Sequence, residues 1–175
     1  MAVQTVTGNT SFSFNFNEVA TLAFNTSGVY NASITSGLTF ANTTGGALGC
    51  DTIHAKQYTL ASTTTAIDLN SGLLSPSGAA CVFARVRVFI VAPVTTTAGS
   101  LIKVYASASN APLWLPPVAT FLWATPNGGA VILFDPNAIT TQGYLVDGTH
   151  KAITFDSGSN TVVFNVLILG NSSAS

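Results

Sequence analysis

The sequence predicts an all-β protein, an antiparallel β-sandwich or jelly roll of roughly eight to ten strands. Two stretches and one absence carry this expectation. Cys81–Ala92, CVFARVRVFIVA, has no glycine, proline or helix-capping residue and is rich in Val, Ile and Phe, whose branched and aromatic side chains suit a pleated strand. Ser11–Asn17, SFSFNFN, alternates strictly and places Phe12, Phe14 and Phe16 on one side. No stretch of ten residues repeats apolar positions at spacings of three, four and seven with caps, so no helix is expected.

The central stretch has two unlike faces. A period of two puts Val82, Ala84, Val86, Val88 and Ile90 together, an apolar set that must meet a core. Phe83, Arg85, Arg87, Phe89 and Val91 fall on the other side. One side is expected to be covered by a second sheet and the other half-covered.

In chain order, residues 1–10 read as an extended arm or a first short strand. After Ser11–Asn17, Val19–Phe24 continues the apolar pattern, and residues 25–49 read as short strands (Val29–Ile34, Leu38–Phe40) between Thr, Asn and Gly turns. Thr52–Leu60 is a strand with Ile53, Ala55 and Gln57 on one face and His54, Lys56 and Tyr58 on the other. Ala66–Leu69 follows. Ser71–Ala80, with Gly72, Pro76 and Gly78, turns into the central strand, which Pro93 ends. Leu101–Ala106 is expected as its hairpin partner. The prolines at 112, 116 and 117 forbid a helix around Trp114. Asn127-Gly128 between Val118–Thr125 and Ala130–Phe134 is a hairpin pattern, and Asp147-Gly148 suggests another between Tyr144–Val146 and Ala152–Phe155. Thr161–Leu169 closes the fold, and residues 171–175 read as a frayed tail. The whole chain, 1–175, is read as one domain with no linker and no internal repeat.

Composition sharpens the functional reading. Charged residues make up 6% of the chain, apolar residues 47%, net charge is −1 at pH 7, and mean hydropathy is +0.49. An average globular protein carries about 25% charged residues. A surface with so little charge is poorly protected against association, so much of it is expected to be buried against neighbouring subunits. Five basic residues cannot supply a nucleic-acid surface. No apolar run approaches the ~18 residues of a membrane helix. The start, MAVQTVTGNT, has neither the basic residues nor the apolar run of a secretory signal, and synthesis in a cytoplasm is expected.

The candidate sites are few. Asp51, His54 and Lys56, with Ser62 or Thr63 as nucleophile, form the sole catalytic constellation, and it matches no known motif of nucleophile, metal or phosphate chemistry. Solvated surface or interface is the favoured reading, and no enzyme activity, cofactor or metal is expected. Asp68, Asp135, Asp147 and Asp156 sit at turns, where Asp caps its own backbone. Trp114, Trp123 and Tyr144 could build a sugar-binding platform, but packing in the core or at a subunit contact is favoured. Arg85, Arg87, Trp114 and Trp123 are taken as the subunit-interface candidates. Cys50 and Cys81 either stay separate thiols or form a disulfide, which would contribute roughly 3 kcal/mol by the chain-entropy argument.

Three stretches, YTLASTTTAIDL at 58–69, GAACVFARVRVFIV at 78–91 and DGTHKAITFDSGSNTVVFNVLILG at 147–170, resemble small β-sandwich virion proteins of tailed bacteriophages. The resemblance rests on strand patterning and a terminal apolar strand ending in Gly. It implies a capsid decoration protein or appendage subunit, without catalytic residues. Such a subunit would assemble in a host cytoplasm with copies of itself, as a trimer or other homo-oligomer, on a major capsid or appendage protein. The alternatives kept open are a carbohydrate-binding or adhesion module and an extracellular filament subunit joined by strand exchange through residues 1–17.

Overall fold

The structure is a computed structural model that describes residues 8–21, 27–40, 50–76, 78–95, 97, 99–126, 129–134 and 144–173. Thirteen strands run through these residues: β1 Gly8–Thr21, β2 Ser27–Phe40, β3 Thr52–Ala61, β4 Thr64–Asp68, β5 Leu73–Leu74, β6 Ala80–Cys81, β7 Arg85–Pro93, β8 Ile102–Ala106, β9 Leu122–Ala124, β10 Val131–Phe134, β11 Tyr144–Leu145, β12 Ala152–Asp156 and β13 Thr161–Asn171. The only helical element among them is a 3-10 turn at Val118–Thr120. The protein is an all-β antiparallel sandwich, as the sequence predicts.

One layer has strand order β10-β7-β13-β3, with β11 also paired to β7. The other has order β4-β12-β8-β9. Their facing residues make a single core. Phe89, Phe164 and Ile168 from the first layer meet Ile67, Val104 and Phe155 from the second, all buried. Ring contacts run across the gap: Phe155 lies 5.2 Å from Phe164 and 6.4 Å from Phe89, centroid to centroid. Each such side chain contributes about 1.5–3 kcal/mol by leaving water.

Several hairpins expected from turn residues are instead crossings between layers. β8 pairs with β12 and β9, not with β7. β9 belongs to β8's layer while β10 pairs with β7, so the two strands around Asn127-Gly128 lie in different sheets. β11 and β12 are divided in the same way. A turn dipeptide reverses the chain, but the return strand goes wherever both of its faces are best covered.

The central stretch also departs from strict alternation. It breaks after Cys81, and β7 starts at Arg85. Leu169 pairs with Val88 but Gly170 with Val86, so Arg87 is an extra, bulged residue. The bulge flips the face of all that follows. Val86 and Phe89 both reach the main core, while Val88 turns to the opposite side of the sheet. Gly170 is required here: a Cβ would lie 2.0 Å from the Arg85 carbonyl oxygen.

β1 and β2 form a separate two-stranded ribbon in one unbroken register, from Gly8 opposite Phe40 to Thr21 opposite Ser27. The Thr, Ser and Gly of residues 35–37, expected as a turn, are strand. Residues 1–7 of the expected arm lie outside the described residues, as do Asn127-Gly128, Asp135 and the Gly-rich segment at 45–49. Asn171, expected in a frayed tail, is the buried last residue of β13.

Candidate subunit interface

Because β3, β13, β7 and β10 are in register, their outward residues line up in rows across the sheet. The first row is Ile53, Leu169, Val88 and Phe134. The second is Ala55, Leu167, Ile90 and Ile132. Only the third turns polar, with Gln57 donating to Asn165 at 3.2 Å beside Ala92. Val88, Leu169 and Cys50 are buried in a small second cluster, and Ile53, Ile90, Phe134 and Leu167 are half-buried around it. Ala55 is exposed, and Ile132 is 42% exposed. The sheet is thus apolar on both faces, and one is incompletely covered within the chain. Alternation gives the half-covered side Phe83, Phe89 and Val91, but these are buried in the main core, and the bulge turns Val88 and Ile90, expected in the core, to this side instead.

At the end of the first row stands a buried polar group. Arg87 is 2% exposed and its Nε donates to Asn171 Oδ1 at 3.3 Å. Arg85 is 9% exposed. Both guanidinium-bearing side chains, taken from the sequence as a subunit contact, therefore lie inside the single chain. Burial pushes the Cys50 thiol up to about 12, against the opposing pull of Arg87, so it is a protonated packing group. Cys81 is a free, buried thiol in the main core, its Sγ 3.0 Å from the Ile53 carbonyl, while Cys50 lies on the other side of the sheet. The two cysteines are not joined, because the sheet itself separates them.

The three aromatics of the expected platform are divided. Trp114 stacks on Tyr144 at 4.8 Å and 24°, meets Phe89 edge-on at 5.8 Å, and donates its indole N–H to the Leu145 carbonyl at 3.2 Å. Trp114 and Tyr144 line a cleft of about 240 Å³ with Leu113, Leu145 and His150. Trp123 lies elsewhere, 63% exposed, in a groove of about 330 Å³ between β9 and β10 with Phe121 and Ile132.

The Asp51–His54–Ser62 constellation is not assembled. Asp51 accepts from the Ser172 amide at 2.7 Å and hydroxyl at 2.5 Å, and Ser62 donates to the Ser159 carbonyl at 2.7 Å. His54 is 2% exposed. Its Nδ1–H donates to the Leu74 carbonyl at 2.7 Å, which leaves Nε2 to accept from the Tyr58 hydroxyl at 3.0 Å. Burial holds this imidazole below its ordinary value and raises the Tyr58 phenol, so the pair is neutral. Lys56 lies over the Tyr58 ring, 5.1 Å from its centroid. This is a packed, satisfied polar contact at a sheet edge.

Of the turn aspartates, the three among the described residues each accept from a backbone amide just downstream, Asp156 from that of Gly158 at 2.6 Å. Asp147 accepts from His150 and from the Thr149 amide and hydroxyl, which together hold its carboxyl well below the usual range. For Asp68, burial pushes upward but is outweighed by Lys151, 2.8 Å away, and by the Asn70 amide. Among the described residues no three His, Cys, Asp or Glu side chains converge to hold a metal ion, and no helix is long and apolar enough to cross a membrane. The family models, the curated proteins and the solved structures contain no match to this chain.

Proposed function

We propose that this protein is a non-enzymatic structural subunit that assembles with copies of itself on a virion. Its place is that of a capsid decoration or stabilising protein seated on a major capsid or appendage protein. The observation that carries this reading is the pair of apolar rows on the outer face of the five-stranded sheet. Six of these apolar residues, from four strands and with no charge among them, stay half-buried or exposed around buried Val88 and Leu169, a surface that a solitary soluble protein would carry at a cost in solubility. The exposed Trp123 and Ile132 beside it extend the apolar area to the β9–β10 edge. Covered by neighbouring copies or by a shell, this surface becomes an interface core with a polar rim of the Gln57–Asn165 kind.

The test is the state of the purified full chain and of particles from its native source. Light scattering after gel filtration should give an oligomer at micromolar concentration, and immunogold labelling should place the protein on particles. A monomer at every concentration, with no particle labelled, would sink the proposal.

The Trp114 cleft supports sugar binding as a second reading. Against it, Trp114 and Tyr144 already spend one ring face each on the other, faces that a stacked sugar would need. Binding on a glycan array, lost in Trp114→Ala, would favour this reading over the first.

A further inference from the structure

The outer face of the four-stranded sheet holds a cleft that the subunit surface does not use. Its volume is about 470 Å³, inside the roughly 300–1,000 Å³ of small-molecule sites. Tyr105, Ser107 and Thr154 bring hydroxyls to it, and Ala111, Pro117 and Val118 give it apolar walls. Register explains the placement. Thr154 of β12 pairs with Tyr105 of β8, and alternation turns both away from the core that Phe155 and Val104 enter. Backbone bonds pin the wall: the Ala106 amide donates to the Pro116 carbonyl at 2.9 Å, and the Thr120 amide to the Pro117 carbonyl at 2.9 Å.

The hydroxyls of this cleft are not all spent within the chain. Tyr105 is 9% exposed, yet among the described residues its hydroxyl has no hydrogen-bond partner. A polar group so deeply placed is normally bonded. Burial, and after it the neighbouring Asp156, raises this phenol, so it keeps its proton as a donor. Ser107 and Thr154 meet at 2.5 Å, and whichever hydroxyl donates, the other's proton is left over.

We propose that this cleft binds a neutral saccharide. Two unspent hydroxyl protons, and the oxygens that carry them, call for a partner that both accepts and donates. A purely apolar ligand would leave them unpaired, at about 1–3 kcal/mol each. The apolar walls suit a ligand with a C–H face, which a sugar ring presents beside its own hydroxyls. The rows on either side carry Asp156 and Asp68, each paired with a lysine, Lys103 at 3.6 Å and Lys151 at 2.8 Å. Charge around the cleft is thus balanced, and neither an anion nor a cation is favoured. Nor is an added peptide strand, because β8 and β12 each lie between two other strands of the sheet. The site is on the opposite layer from the subunit surface, and it is open whether or not that surface is covered.

The experiment screens the full chain on an array of neutral and acidic glycans and titrates a neutral oligosaccharide from it by calorimetry. A neutral glycan should bind. Tyr105→Phe should weaken that binding about fivefold or more while leaving the melt unchanged, since its hydroxyl bonds nothing in the free chain. Thr154→Val should weaken it by a separate route, and Trp114→Ala and Trp123→Ala should leave it intact. No glycan bound, acidic glycans alone bound, or binding that survives both Tyr105→Phe and Thr154→Val overturns the proposal. Loss in Trp114→Ala alone also overturns it, by moving the sugar to the other cleft.

Discussion

The two faces of the five-stranded sheet are made from the same strands and nearly the same residue types, yet they end differently. On the inner face Phe89, Phe164 and Ile168 have no measurable exposure, because the second sheet closes over them. On the outer face Ile90 and Leu167 stay half-buried and Ile132 is open. Hydrophobicity therefore decides that a residue needs cover but not which molecule supplies it. The inner face serves the fold of one chain, and the outer face is left half-covered by it.

That contrast can be broken from either side. Phe164→Ala on the inner face should cost about 3–5 kcal/mol, read as a large drop in the urea midpoint. Gly170→Ala should cost roughly 2 kcal/mol or more in the same measurement, since the new Cβ has no room against the Arg85 carbonyl and the bulge must shift. Ile132→Ser on the outer face should change monomer stability by less than about 1 kcal/mol and show itself in reduced oligomer mass instead. An equal loss of stability on both faces would show the outer one to be sealed within the chain.

The smallest expected effect is a pH dependence at the rim of the inner face. His54 holds a proton less well in the folded chain than its ordinary 6.5, so the unfolded chain takes the proton first as pH falls. Its contribution is fully present above pH 6.5 and declines as pH drops from there toward the lower folded value. Between pH 6.5 and about 5, above the range of ordinary carboxylates, the wild-type melting temperature should fall, and that of His54→Gln should stay flat.

Much of the fold could be read from residues alone. Thr52–Ala61 and Thr161–Asn171 appear close to where strict alternation put them, because both strands are long and regular. The pairing was not legible. Asp147-Gly148 reads as a hairpin whether the following strand joins its neighbour or crosses to the other sheet, and only the covering of both layers decides between them. Nor could alternation foresee the bulge: its cause is the register between β7 and β13, strands far apart in the chain. For that reason alternation puts Arg85 and Arg87 on the half-covered side of the strand, where the structure has Val88 and Ile90. The Trp114–Tyr144 stack was half legible, as aromatic residues among prolines, but its separation from Trp123 depends on β9 and β11 lying in different layers.

The repeated passage of the chain from one layer to the other constrains how it can be made. β3 finds its partner in the final strand, and β4 waits for β12, so neither sheet closes until the C-terminal residues have been synthesised. Such distant partners make for slow, all-or-none acquisition of structure on the ribosome's timescale. Until then the greasy strands stand open together in every nascent copy, and a cell producing many copies at once must keep them apart long enough to finish.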